Sequence, residues 1–164
     1  MVMLRPIDIS VLSWLVSAAP KDWTQTQVAS ALGISQSNVH RALRQLEESR
    51  LVRARTPQTT AMFELFTGGL RYVFPAEIGA PARGLITARV GDDLADDTPL
   101  VWACESGSAV GPTLSPLHPC VPEAALKSPE FHELMSVIDA CRVGRARSRV
   151  LAERWMKEKW VGVP

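Results

Sequence analysis

Apolar positions along the first third of the chain recur at intervals of three and four residues, which is the period of a helix with one buried face. Ile7, Val11, Trp14, Leu15 and Ala18 predict a first helix over about 7–18, entered after Pro6 and stopped by Pro20. Thr24 stands where a helix N-cap belongs, ahead of a second helix running to about Leu32. Gly33 can turn the chain without a Cβ penalty, and Ser35 caps a third helix with Val39, Leu43 and Leu46 on one side. "LVRAR", Leu51 to Arg55, then leans towards a strand, and "TPQTT" breaks the chain. In a winged domain those residues would be one strand and the tip of a hairpin. Met62, Phe66, Leu70 and Val73 return to helical spacing, which predicts a helix over about 60–72 and a wing that is reduced or missing.

Between Pro75 and Pro122 the pattern loosens into Pro, Gly and short apolar pieces. "LITAR" and "LVWAC" are the strand candidates, separated by an acidic loop around Asp92–Asp97. The rest of this stretch predicts irregular but ordered chain, anchored by Val101, Trp102, Val110, Leu114 and Leu117. Ser128-Pro129-Glu130 is a helix start with serine cap, proline in the first turn and an acid, and the helix should reach about Val143. A second helix, from Arg145 to about Trp160, follows Gly144 or continues the first. Trp155, Met156 and Trp160, with Val150 and Leu151, make an apolar stripe there that suits a core or, preferably, a dimer seam. The expected fold is mainly α. A (winged) helix-turn-helix domain over 1–74 precedes an α-rich region over 75–164 with a few short strands, for dimerisation or partner binding.

The run "TQTQVASALGISQSNVHRALRQLEESRLVRAR" carries the functional signal. A helix-turn-helix crosses two helices closely, so a small residue must sit at the contact, and Ala29 does. Gly33 supplies the turn, Val39 returns to the core, and Val28, Leu32 and Ile34 fill the other inward positions. On these residues the chain resembles the winged helix-turn-helix regulators of bacteria, the MarR-like class among others, over about 7–55. The outward residues suit DNA. Gln36, Ser37, Asn38, His40 and Arg41 occupy the first turns of the third helix and Arg44 follows, with no carboxylate before Glu47. Such side chains read base edges in the major groove or grip phosphates. Thr24 and Ser35 stand at helix starts, where free N–H groups favour a phosphate. Arg53 and Arg55, with Arg50, lie where a wing would meet the backbone. The plain alternative is a solvated polar helix in a domain that kept the fold and lost DNA.

Charge sharpens this picture. A net charge of +1 conceals seven Lys/Arg against four Asp/Glu in residues 1–55 and three against six in 56–100. The near-neutral total argues against bulk coating of nucleic acid and leaves room for local patches. "RVGRARSR" concentrates four arginines, of which Arg142, Arg145 and Arg149 would share one helical face. That face either pairs with Asp139 and Glu153, meets an acidic partner protein, or adds phosphate contacts.

Other chemistry is sparse. Cys104, Cys120 and Cys141 are odd in number and lack CxxC spacing, which argues against a disulfide framework. With His118 and His132 they could begin a zinc site, but buried small hydrophobes are the better reading, and no cofactor is expected. No GxSxG, Walker loop, HExxH or GxGxxG occurs, so no enzyme is expected. No apolar run nears the roughly 20 residues needed to span a bilayer, and the first ten residues lack signal-peptide features, which predicts a cytoplasmic protein. "RYVFPAEIGAPARGLITA", Arg71 to Ala88, looks like a packed connector and is loosely similar to segments of small bacterial helix-turn-helix proteins, some encoded beside nucleotidyltransferase-like toxins. The expected function is a sequence-specific, DNA-binding transcriptional regulator, a repressor, acting on double-stranded DNA as a homodimer. The alternative is an antitoxin-like or adaptor protein whose C-terminal half neutralises a partner enzyme.

Overall fold

The computed structural model describes residues 1–92 and 98–162. Among them the chain forms eight α-helices, five strands and a terminal π-helical turn. The helices are α1 (Pro6–Ser17), α2 (Gln25–Leu32), α3 (Gln36–Glu48), α4 (Thr59–Gly68), α5 (Leu70–Val73), α6 (Val121–Lys127), α7 (Pro129–Val143) and α8 (Ala146–Met156). The strands are β1 (Val52–Arg53), β2 (Thr56–Pro57), β3 (Ile78–Thr87), β4 (Leu100–Ala103) and β5 (Ala109–Leu114). The mainly α class with a helix-turn-helix at the N-terminal end is therefore as expected from the sequence.

α1 departs from the simple amphipathic helix that its spacing predicts. Every residue from Ile7 to Leu15 is buried, because α3 covers one side and α7 the other. Ser10 and Ser13 make this possible, and half-buried Ser17 follows one turn later. Ser10, Ser13 and Ser17 donate their hydroxyls to the carbonyls of Pro6, Ile9 and Ser13 at 3.0, 2.7 and 2.6 Å, so they pack as small residues without leaving a polar atom unsatisfied. Asp8 is buried as well. Its carboxylate accepts from the Arg5 backbone at 2.8 Å and from the Arg5 guanidinium at 2.6 Å, which closes the first turn as a capping box.

α7 is the second helix buried almost all round. Ser128 caps it, accepting from the Phe131 N–H at 3.2 Å, and Gly144 ends it at φ 74°. One apolar cluster runs from Ile9 to Met156 through α1, α3, α4, α7 and α8, and so crosses the expected boundary at residue 74. Met62, Phe66 and Leu70 join it as their spacing predicts, whereas Val73 is 59% exposed. Gly69 interrupts the helix expected over 60–72.

The C-terminal stripe takes a different role from the dimer seam that sequence reasoning favoured. Ala152 and Met156 are buried within the chain's own core, and Trp160 packs edge-on against Phe66 with ring centroids 5.9 Å apart. Trp155 packs on Trp160 and donates to Glu133 Oε1 at 3.1 Å, and only Val150 of the stripe is largely exposed.

The stretch 75–122 is more regular than its composition suggests. β3 pairs antiparallel with β4 (Gly84–Thr87 against Ala103–Leu100) and with β5 (Ile78–Gly84 against Leu114–Ala109). A single parallel pairing, Val101 to Thr113, closes the three strands into a small barrel. Strand β3 absorbs most of the predicted connector and carries on into "LITAR", and β5 and α6 were not foreseen, since Pro112 and Pro122 mask their patterns. At Gly84 the strands pass so close that a Cβ would sit on the Trp102 carbonyl oxygen, so glycine is required there. Asp93, Asp96 and Asp97 of the predicted acidic loop lie outside the described residues.

A buried polar clamp fixes the barrel to α7. Asp139, fully buried, accepts from Thr87 Oγ1 at 2.7 Å, Trp102 Nε1 at 2.8 Å and Arg142 at 2.7 Å. Burial pushes its carboxyl up, and the Arg142 charge and the hydrogen bonds from Thr87, Arg142 and Trp102 oppose that. Arg142 also donates to the carbonyls of Phe74 at 2.9 Å and Pro75 at 3.3 Å, tying the chain between the two halves. One residue beyond Ala88, which sits at φ 57°, the Arg89 N–H and carbonyl both bond the Ser136 hydroxyl. Removing one partner of a buried ion pair costs about 3–5 kcal/mol, so Asp139→Ala should lower the melting temperature by roughly 6–20 °C. Thr87→Val, which deletes one of the three donors to that carboxylate, should cost less, about 1.5–3 kcal/mol. Calorimetry that found Asp139→Ala melting with the parent would refute the clamp.

Candidate nucleic-acid interface

The helix-turn-helix forms as its six inward positions require. Thr24 accepts from the Gln27 N–H at 3.2 Å while Gln27 Oε1 accepts from the Thr24 N–H at 2.9 Å, a complete capping box at the start of α2. Gly33 ends α2 in the left-handed region, φ 63°, and the Ile34 N–H returns to the Ala29 carbonyl at 3.0 Å. Ser35 Oγ accepts from the Asn38 N–H at 3.1 Å and starts α3. Val28, Ala29, Leu32, Val39, Ala42, Leu43 and Leu46 are buried, and Ile34 half-buried.

The opposite face of α3 is polar. Gln36, Ser37, His40, Arg41 and Arg44 are exposed, Asn38 is half-buried, and the first turn holds no acid. Gln36 Nε2 donates to Thr26 Oγ1 at 3.3 Å, which bridges α2 and α3 and orients the amide. Thr26 had no distinguishing signal in the sequence, since the link depends on how the two helices cross. Arg44 lies 3.6 Å from Glu48, an exposed pair of one helical turn that water screens. Thr24 and Ser35 are exposed but their hydroxyl oxygens already serve as caps, which leaves each a hydroxyl hydrogen to donate.

A wing exists in reduced form. β1 and β2 pair through Val52–Pro57 and Arg53–Thr56, with Ala54 and Arg55 as the two central turn residues. Both have positive φ, 47° and 67°, the arrangement that matches strand twist in a two-residue hairpin and that Asn-Gly usually fills. Leu51 and Val52 are buried and root the wing, and the Gln58 N–H bonds the Leu51 carbonyl at 2.8 Å. Arg53 is exposed on β1. Arg55 is exposed as well, but its side chain folds back on the protein. Its guanidinium lies over the Trp23 ring, 4.2 Å from the centroid, and donates to the Trp23 carbonyl.

The arginine cluster of the C-terminal half divides in the fold. Arg142 is buried in the clamp, its side chain 4% exposed, so it is not the partner-facing residue that its sequence position suggested. Gly144 separates α7 from α8, so Arg142 does not share a helical face with Arg145 and Arg149. Arg145 and Arg147 are exposed and Arg149 half-buried. Burial pushes the Cys120 thiol up to about 11 and the Cys141 thiol up to about 12, so both stay protonated near neutrality and suit packing better than nucleophilic or ligand chemistry. Among the described residues, no group of three His, Cys, Asp or Glu side chains could hold a metal ion.

Residues 4–60 match the MarR family, which covers α1, the helix-turn-helix and the wing. The match supports a DNA-binding transcriptional regulator. No solved structure matches the chain. No helix among the described residues is long and apolar enough to cross a membrane.

A Cβ at Gly33 would meet nothing within 4 Å, so the need for glycine there is conformational and not steric crowding. Gly33→Val should therefore cost about 1–3 kcal/mol, while Gly33→Asn, which tolerates the left-handed region, should cost much less. Equal melting temperatures for the valine variant and the parent would contradict the turn.

Proposed function

We propose that this protein is a sequence-specific transcriptional repressor that lays α3 in the major groove of double-stranded DNA. The observation that carries this reading is the composition of the exposed α3 face. Amide, hydroxyl, imidazole and guanidinium groups from Gln36 to Arg44 project without a carboxylate, and the opposite face is locked in the core. Asn38 and Arg41 are the candidates for bidentate contacts to adenine and guanine, with Gln36, Ser37 and His40 beside them. Arg44, Arg53, Thr24, Ser35 and the free N–H groups at the start of α3 suit phosphates. Repression needs nothing more than occupancy of a promoter. One helix covers too few base pairs for useful specificity, so the protein works as a symmetric dimer on two half-sites.

A second reading is supported by Arg145, Arg147 and Arg149 around the α7–α8 corner. An adaptor or antitoxin-like protein would use such a cationic corner to hold an acidic partner protein, and it could still occupy its own promoter.

Fluorescence anisotropy on the upstream region of the gene, with random DNA as reference, tests the first reading. Asn38→Ala and Arg41→Ala should each lose about 1–3 kcal/mol on the specific site, roughly 5- to 150-fold, and far less on random DNA. Equal losses on both DNAs would remove α3 from the groove. Arg145→Ala should leave DNA binding unchanged, and a loss there would shift that corner from a protein partner to DNA. Light scattering of the free protein should give twice the 17.9 kDa chain mass, and a monomer would count against paired half-sites.

A further inference from the structure

We infer that Arg55 is a positioning residue: it latches the wing to the α1–α2 loop through Trp23 and is not itself a phosphate contact. Its role in DNA binding rests on the function proposed above, whereas the latch rests on geometry alone.

Three observations converge. The first is the double contact, since the same guanidinium stacks over the Trp23 indole at 4.2 Å and donates to the carbonyl of that residue. Stacking plus a forked donor suits arginine and not lysine. The second is the anchor. Trp23 is 6% exposed and belongs to the continuous apolar core, and it stands next to Thr24, the cap of α2. A wing held to Trp23 is thereby held to the start of the helix-turn-helix. The third is the turn. Ala54 and Arg55 both occupy positive φ with side chains that disfavour it, at a cost of order 1–3 kcal/mol per residue. Two strands of two residues each cannot offset that alone, because isolated hairpins are marginal in water. An external contact must hold the turn, and the Arg55–Trp23 pair supplies one. Leu51 and Val52 fix the root of the wing but not its tip.

The consequence is a division of labour between the two wing arginines. Both arginines are exposed, but Arg55 is stacked on Trp23 and sets where the wing stands relative to α2 and α3, which leaves Arg53 to meet the DNA backbone. A locked wing keeps the Arg53 contact pre-organised, so that less ordering entropy opposes binding.

Amide hydrogen exchange by NMR on the free full-length protein, joined to DNA titrations at several salt concentrations, tests this. Arg55→Ala and Arg55→Lys should both speed exchange at the amides of 52–58 on the order of tenfold, with α3 amides unchanged. Trp23→Leu should speed the same amides, and adding Arg55→Ala to it should produce little more. On specific DNA, Arg55→Ala should weaken binding while leaving the salt slope at the parent value, whereas Arg53→Ala should reduce that slope by about 0.9. Unchanged wing exchange in Arg55→Ala would overturn the latch. So would full rescue of DNA affinity by Arg55→Lys together with a slope reduced by about 0.9 in Arg55→Ala, which is the signature of a phosphate contact. If the parent protein binds no DNA, the proposed function fails and the exchange measurement alone decides the latch.

Discussion

The burial of α1 on every side is the constraint from which the rest of the architecture follows. A helix buried around its whole circumference needs several partners, and here α3 and α7 are the main ones, with α2 and β2 beside them. The helix-turn-helix unit is therefore not a free-standing module on a tether. Its central helix is also the floor on which the C-terminal half rests. Ser10, Ser13 and Ser17 allow the close approach by bonding their own helix, and Asp8 is tolerated because Arg5 neutralises it in the first turn. Replacing those small or paired groups with larger apolar ones would force the two halves apart.

The second organising element is the Asp139–Arg142 pair. It gathers β3 through Thr87, β4 through Trp102 and the chain entering β3 through the Phe74 and Pro75 carbonyls. A three-stranded barrel this small buries little apolar surface of its own, and buried polar links of definite geometry give it one orientation on α7. The two arrangements are coupled through α7, which carries the clamp and packs on α1.

At the helix-turn-helix, local order comes from short devices: the Thr24–Gln27 box, the Gly33 turn, the Ser35 cap, the Gln36–Thr26 link and the wing contact to Trp23. Each fixes a backbone segment without using the side chains best suited to bases, Asn38 and Arg41. Pre-organisation of that kind limits the entropy lost on binding.

The sequence by itself determined the elements whose signals are local. Capping residues, a glycine at positive φ and apolar spacing of three and four act within one helix or turn, so α1 to α3, the turn at Gly33 and the Ser128 start of α7 were legible before any fold was known. The six inward positions of the helix-turn-helix were legible for the same reason, and the match over residues 4–60 agrees with them. Tertiary structure decided everything that depends on residues far apart. Periodicity describes one helix face and is silent about a second partner, so the full burial of α1 and the inward turn of Met156 and Trp160 could not be read. Prolines and glycines conceal the first part of β3 ahead of "LITAR", together with β5 and α6, because their patterns report loops, while strand pairing at Gly84 needs glycine for close approach. The fate of the arginines was least legible of all. Arg142 and Asp139 on α7 meet Thr87 and Trp102 on distant strands, and Arg55 meets Trp23 thirty-two positions away. A charge count cannot tell a cation held inside the protein from one left for a partner, because only the packed chain decides which carboxylate or ring stands within reach.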